Sequence, residues 1–230
     1  MAVGDNQYSW FYMIGQLGTR YSINVNENLI WPRPKAQWKE EVKRTVNNFW
    51  TAKLQSETVH KKTLEWFITR TDTAQVHPLW LTCAGDPRKV EAAATRARLL
   101  VGRFSTQSVR ARYSGSGSKL CQLYLEEDED TIHLLIRCHR LQHCRSNKVE
   151  ILKQLYAEEK LPPPNTDQEI CSAILNGDCF ISSTQLSPLQ MLADIVRISN
   201  PDLIYRSNMV ASLLCISLVK ERDFILNNNS

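Results

Sequence analysis

Cys121, His133 and Cys138 are the residues of this sequence best suited to chemistry, because two thiols and an imidazole in one short stretch are zinc-type ligands. The four residues between His133 and Cys138 put both near one face of a helical turn, where they can close on a single ion. Residue 124, where a second cysteine would complete a CxxC pair, is Tyr124, and a phenol is a poor zinc ligand beside thiolate and imidazole. Three donors do not close a tetrahedral structural site. Cys144, His139 and His143 lie within two helical turns of Cys138 and are the candidates for the fourth. Zinc is the one cofactor these residues could take, while the commoner fate of such residues is a lightly buried Cys121, a core Cys138 and a histidine on a helix flank.

Other chemistry lacks its residues. Gly115-Ser116-Gly117-Ser118-Lys119 is too short for a phosphate-cradling GxxxxGK[ST] loop, does not match GxGxxG, and reads as a flexible link. Paired aspartates after an apolar strand, the two-metal polymerase arrangement, are missing, and Asp128 and Asp130 belong to a solvated acidic run. No Ser/His/Asp or Cys/His pair carries a supporting motif, so the chain is expected not to be an enzyme.

Positive charge is concentrated from Arg88 to Lys119, where eight basic residues face only Glu91, although the whole chain carries a formal net charge of just +4. Arg96, Arg98, Arg103, Arg110 and Arg112 are the candidates for contact with nucleic-acid phosphates. A solvated basic helix face explains the same pattern. The acidic loop Glu126-Glu127-Asp128-Glu129-Asp130 that follows would repel a phosphate backbone.

The elements that position these residues are read as helices. Trp38, Val42, Val46, Phe49, Trp50 and Leu54 recur at helical spacing after Pro32 and Pro34, predicting a helix with a wide aromatic face to about residue 57. A shorter helix is expected from Thr58 to Thr69, burying Leu64, Trp66 or Phe67. Asp86-Pro87 is an N-cap with proline at the first helical position, opening a helix that Gly102 stops. A further helix should start near Thr131, after a small hairpin near Leu120 to Leu125, and helical spacing continues through Val149, Leu152 and Leu155. Pro162-Pro163-Pro164 imposes an extended break and marks a subdomain boundary. Beyond it come a Thr166-Glu169 capping box with a Gly177 stop, a helix from Ser187-Pro188 through Met191, Ile195 and Val196, and a last helix from Asn200-Pro201. A polar tail after Leu226 should fray.

No sustained period-two alternation occurs, so the expected class is all-α: an irregular multi-helix domain with a small Cys/His segment and a second, C-terminal helical subdomain. The divisions are residues 1–32 (partly irregular), 33–113 (helical, with the basic stretch), 114–160 (zinc-knuckle-like segment and following helix) and 161–230. Residues 1–15 contain aromatic residues such as Tyr8 and Trp10 but no basic region followed by an apolar run, and Met209–Val219 is too short to span a bilayer. No membrane association is expected. Seven cysteines at irregular spacing argue for a reducing compartment, hence an intracellular location, cytoplasmic or nuclear.

Several short motifs occur in an order that resembles one family. They are Pro34-Lys35-Ala36-Gln37-Trp38-Lys39, Phe49-Trp50-Thr51-Ala52-Lys53-Leu54-Gln55, His77-Pro78-Leu79-Trp80, Ala97-Arg98-Leu99-Leu100-Val101-Gly102 and Gln107-Ser108-Val109-Arg110-Ala111-Arg112-Tyr113. Cys121-Gln122-Leu123-Tyr124 and Glu129-Asp130-Thr131-Ile132-His133-Leu134-Leu135-Ile136-Arg137-Cys138 follow. Over roughly residues 18 to 160 the chain resembles the C-terminal region of animal non-LTR (LINE-type) retrotransposon polyproteins, downstream of the reverse transcriptase domain. The last two motifs resemble that family's zinc-binding segment, of pattern CxxC, acidic spacer, HLLxxC, with Tyr124 in place of the second cysteine. The resemblance implies a truncated, non-catalytic accessory region that assists RNA or DNA binding, its parent being an RNA-directed DNA polymerase. The alternative is a helical protein-interaction or scaffold fragment of a decayed retroelement, packing on an absent reverse transcriptase domain.

Overall fold

Prolines and polar caps set where the helices begin. The computed structural model describes residues 10–25, 32–67, 76–115, 117–182 and 195–228, and over these the chain is mostly α-helical, as its periodicity implies. Helix α1 spans Trp10–Tyr21 and α2 spans Lys35–His60. Next come the short α3 (Pro78–Leu81), α4 (Pro87–Leu100) and α5 (Gln107–Ser114). A π turn at His133–Arg137 and a 3-10 turn at His139–Leu141 lead into α6 (Gln142–Glu158), then α7 (Asp167–Asn176), strands β1 (Cys179–Ile181) and β2 (Ile195–Arg197), and α8 (Pro201–Asn228). Among the described residues no helix is long and apolar enough to cross a membrane.

The caps work as their residue types require. Asp86 accepts a hydrogen bond from Arg88 N (2.9 Å) with Pro87 behind it, so α4 starts there. At its other end Gly102 takes φ +58° while Arg103 N reaches back to Arg98 O (2.8 Å) and Gly102 N to Leu99 O (3.1 Å), closing the helix with paired backbone bonds. A Cβ at Gly102 would stand 2.9 Å from Thr63 O, so only glycine satisfies both the turn and the packing. Thr166 and Glu169 form the reciprocal capping box of α7.

Two compact units share the chain, and the division falls near the end of α2, between Glu57 and Thr58. In the smaller unit the Tyr21 and Phe49 rings meet edge to face at 5.0 Å between α1 and α2, and Phe49 meets Trp50 at 5.5 Å. No residue of α2 is fully buried, so its aromatic face is half covered and not a core. The larger unit holds the core, built from Leu99, Leu134, Leu135, Leu152, Leu155, Tyr156, Ile174, Leu214 and Leu218. Each such side chain contributes about 1.5–3 kcal/mol by leaving water.

Past residue 161, α8 packs on α3, α4, α6 and α7 together, so the last helix completes the core that the earlier ones begin. Three expectations are corrected. The segment from Thr58 is not a separate α-helix: α2 runs on to His60, and a 3-10 turn at Lys62–Leu64 carries Trp66 and Phe67 against the core. Ile195 and Val196 are strand, pairing antiparallel with Ile181 and Phe180, where β-branched side chains fit better than in a helix. The tail stays helical to Asn228. The Ser187–Met191 part of the expected helix, the end of the Thr58–Thr69 segment, Tyr8 and Ser116 lie outside the described residues. Residues 1–32, expected to be partly irregular, contain α1, and Leu120 pairs with Asp128 in a single antiparallel bridge, the hairpin in minimal form.

Candidate metal centre

The acidic run folds back onto the cysteine that precedes it. Cys121 N donates to Glu127 O (2.7 Å) and Glu129 N to Lys119 O (2.7 Å), while Leu125 N closes a turn on Cys121 O (2.8 Å) with Leu125 in the left-handed region at φ +62°. Asp130 then caps the next helix, its Oδ1 accepting from His133 N at 2.7 Å. That helix widens at once: Cys138 N bonds His133 O at 2.8 Å, an i to i+5 closure, so the expectation that ordinary helical spacing pairs His133 with Cys138 is corrected. An α-helix would turn residues five apart to different faces, and the π turn brings them together. Cys138 leaves helical geometry at ψ 107°, ending the turn at the donor itself.

One donor atom each from Cys121, His133 and Cys138 lie within 4.8 Å of one another, and all three residues are buried. This group could hold a metal ion. His133 Nδ1 is 3.1 Å from Glu127 Oε2 and 3.4 Å from Tyr124 Oη, whereas Nε2 is buried without a hydrogen-bond partner. A carboxylate on one imidazole nitrogen with the other left for a metal is the usual arrangement around a ligating histidine. Donors that bind zinc at about 2.3 Å through sulfur and 2.0 Å through nitrogen fit this spacing.

The electrostatics favour one thiolate. Cys121 is pushed up to about 12, first by donating its S–H to Cys138 and then by burial. Cys138 is pulled down to about 7, first by accepting that bond, against the cost of burial, with help from the Arg140 and Leu141 backbone N–H groups and the Arg145 charge. Burial lowers the affinity of His133 for a proton, but Cys121 and Glu127 together outweigh it and its pKa is raised. Tyr124 is pushed up to about 12 by burial and by Glu127, so it is a neutral phenol over the ordinary pH range.

The fourth-donor candidates go elsewhere. Tyr124 stacks on His133 with ring centroids 5.4 Å apart, and the His139 ring packs on Tyr124 at 4.3 Å without joining the three donors. Cys144 groups with His143 and Glu221 instead. Two residues of this site escaped the sequence reading. Glu127 is the carboxylate that orients His133, and Arg145, buried on α6, donates to Cys138 O while its Nε and Nη1 have no hydrogen-bond partner. Glu127 was detectable only as one of five consecutive acids. That run is far from idle: Glu129 forms a buried ion pair with Arg222 of α8, at 2.8 Å, and Asp130 is the helix cap.

The basic stretch divides in two. Arg96 is fully buried and cannot reach a phosphate; its guanidinium donates to Leu175 O (2.9 Å), Asn208 O (3.1 Å), Asn208 Oδ1 (3.0 Å) and Ser212 Oγ (3.2 Å), joining α4, α7 and α8. Arg98, Arg103, Arg110 and Arg112 are exposed. Helix α5 is fastened to the acidic run by Ser108 N to Glu129 O (3.1 Å), and Arg112, Lys119, Asp128 and Asp130 all line one cleft of about 620 Å³. No protein-family model, curated protein or solved structure matches the chain.

Proposed function

We propose that this chain is a non-catalytic accessory region of a non-LTR retrotransposon polyprotein that assists RNA or DNA binding inside the cell. The observation that carries the reading is the exposed set Arg98 at the end of α4, Arg103 in the turn that follows, and Arg110 and Arg112 on α5, the helix tied by the Ser108–Glu129 backbone bond to the Cys/His segment. A fixed array of cations on such a scaffold meets successive phosphates without first ordering itself. The metal we propose is zinc, held by the sulfurs of Cys121 and Cys138 and a ring nitrogen of His133. Bound there, it would supply a cross-link and folding free energy. The remaining position is left to water, since the neutral Tyr124 phenol is a weak donor.

The test is binding to single-stranded RNA and duplex DNA at several salt concentrations, for the wild type and for Arg98→Ala/Arg103→Ala/Arg110→Ala. The triple substitution is expected to reduce the log–log salt slope by about 2–3. Weak binding with the same slope in both proteins rejects the reading. Stoichiometric zinc in the wild type, lost in Cys138→Ser, tests the metal.

A second reading has its own support. On α1 the side chains of Trp10, Phe11, Met13 and Leu17 are each at least half exposed, the kind of apolar surface that a protein partner such as a reverse transcriptase domain would cover. Binding of the purified chain to that domain with no affinity for nucleic acid would favour this scaffold role.

A further inference from the structure

Helices α6 and α8 pack along one another, with a Glu158–Arg206 ion pair (2.9 Å) toward one end. His143, Cys144 and Glu221 meet toward the other. His143 Nε2 is 3.4 Å from Glu221 Oε1, and one donor atom from each of the three residues lies within 4.8 Å of the others. Between these ends Leu152, Leu155, Leu214 and Leu218 are buried, so the donors stand on elements that the core holds in register.

We propose that His143, Cys144 and Glu221 form a second metal site, separate from the Cys121/His133/Cys138 group, that takes a zinc-class divalent ion and pins α6 to α8. Imidazole, thiolate and carboxylate together suit zinc or cobalt; calcium and magnesium call for oxygen donors alone. An exposed His–Glu pair by itself contributes little and calls for no sulfur. The half-buried Cys144 thiol at the same point is what makes the group a ligand set. Lys148, one turn along, is committed to the Cys144 carbonyl at 3.2 Å. On binding, the Cys144 S–H bond breaks, its proton goes to water and a sulfur–metal bond forms, with no change of oxidation state. Three protein donors leave a fourth position for water, so the ion exchanges more readily than one in a closed site.

Cobalt(II) is titrated into the reduced, metal-free full chain, for the wild type, Cys144→Ser, Glu221→Gln and Cys138→Ser, following the thiolate-to-cobalt absorption band and the heat of binding. Cys144→Ser and Glu221→Gln should each abolish the same single equivalent or weaken it by at least about tenfold, while Cys138→Ser retains it. Both substitutions are at incompletely buried positions, and helix content by circular dichroism checks that the fold survives. If either leaves the titration like that of the wild type, or if the equivalent they remove is the one lost in Cys138→Ser, the second site does not exist. Failure of the first group to bind leaves this comparison intact, because the equivalent assigned to Cys144 would then be the one the wild type shows.

Discussion

At the residue scale the decisive question for each polar side chain is what it bonds once buried. Arg96 and Arg98 are two positions apart in one basic run, yet the helix turns one inward and the other outward, and the four acceptors around Arg96 come from residues far along the chain. Nothing local in the sequence announces them, which is why a charge count could not separate the two arginines. Replacing Arg96 with Met keeps the stem but strands buried acceptors, and Arg96→Met is expected to cost about 3 kcal/mol or more in urea unfolding, against less than about 0.5 kcal/mol for Arg98→Met. The metal group was more legible, since Cys121, His133 and Cys138 announce themselves by type, whereas the partners that tune them, Glu127 and Arg145, are ordinary charged residues until the fold places them. For the metal-free protein each of the two thiols and His133 contributes to the pH dependence with its own sign. The folded pKa of Cys138 is depressed, so its contribution is present above the unfolded thiol value near 9 and is lost as pH falls through about 7. Cys121 is raised, so its contribution is present below 9 and is lost as pH rises through about 12. The Cys138 contribution to metal-free stability should therefore climb from pH 7 to 9 and the Cys121 contribution decline above it, while His133, whose pKa is raised, loses its own contribution as pH rises above its ordinary value. The difference in denaturation free energy between wild type and Cys138→Ser, followed from pH 7 to 9, should show the climb. Tyr124→Cys, which would complete a CxxC pair with Cys121, should tighten zinc at least about tenfold in a competition titration, on the proposed zinc reading.

At the scale of elements, what was readable was what local chemistry decides. Asp86-Pro87, Gly102, Thr166-Glu169, Gly177 and Asn200-Pro201 mark helix ends because caps and breakers act within a few residues. The rest depended on distant contacts. Ile195–Arg197 becomes a strand because Cys179–Ile181 lies beside it, and the π turn at His133–Arg137 is helical by periodicity alone; its extra residue appears only in the hydrogen bond from Cys138 N to His133 O. Gly177 shows both kinds of information at once. Its φ of +75° follows from its place at the end of α7, but an added Cβ would also stand 2.3 Å from Arg96 Nη2 and 2.5 Å from Asn208 Oδ1, which no local rule foresees. Thr166→Ala, which removes one cap, should lower unfolding free energy by about 1 kcal/mol, and Gly177→Ala should cost clearly more in the same measurement because it disturbs the Arg96 network as well.

At the scale of the larger unit, the proposed metal and the proposed nucleic-acid surface are joined by a short mechanical path. The Cys121 backbone holds Glu127, the same run holds Glu129, and Glu129 holds Ser108 at the start of the basic helix α5 while its carboxylate is locked to Arg222 of α8. If zinc binds the three donors, removing it loosens the first link of that path but takes away none of the arginines. Chelation and charge removal should then leave different signatures. A zinc chelator should lower RNA affinity at every salt concentration with a nearly parallel log–log slope, because the phosphates contacted are unchanged in number and only the preorganisation of the surface is lost. The Arg98/Arg103/Arg110 substitution should flatten the slope, since each lost contact releases one fewer set of counterions. Measuring both on one preparation decides the matter: a chelator that flattens the slope as the substitutions do would place the metal in direct contact with the nucleic acid, and a chelator without effect would detach it from binding altogether.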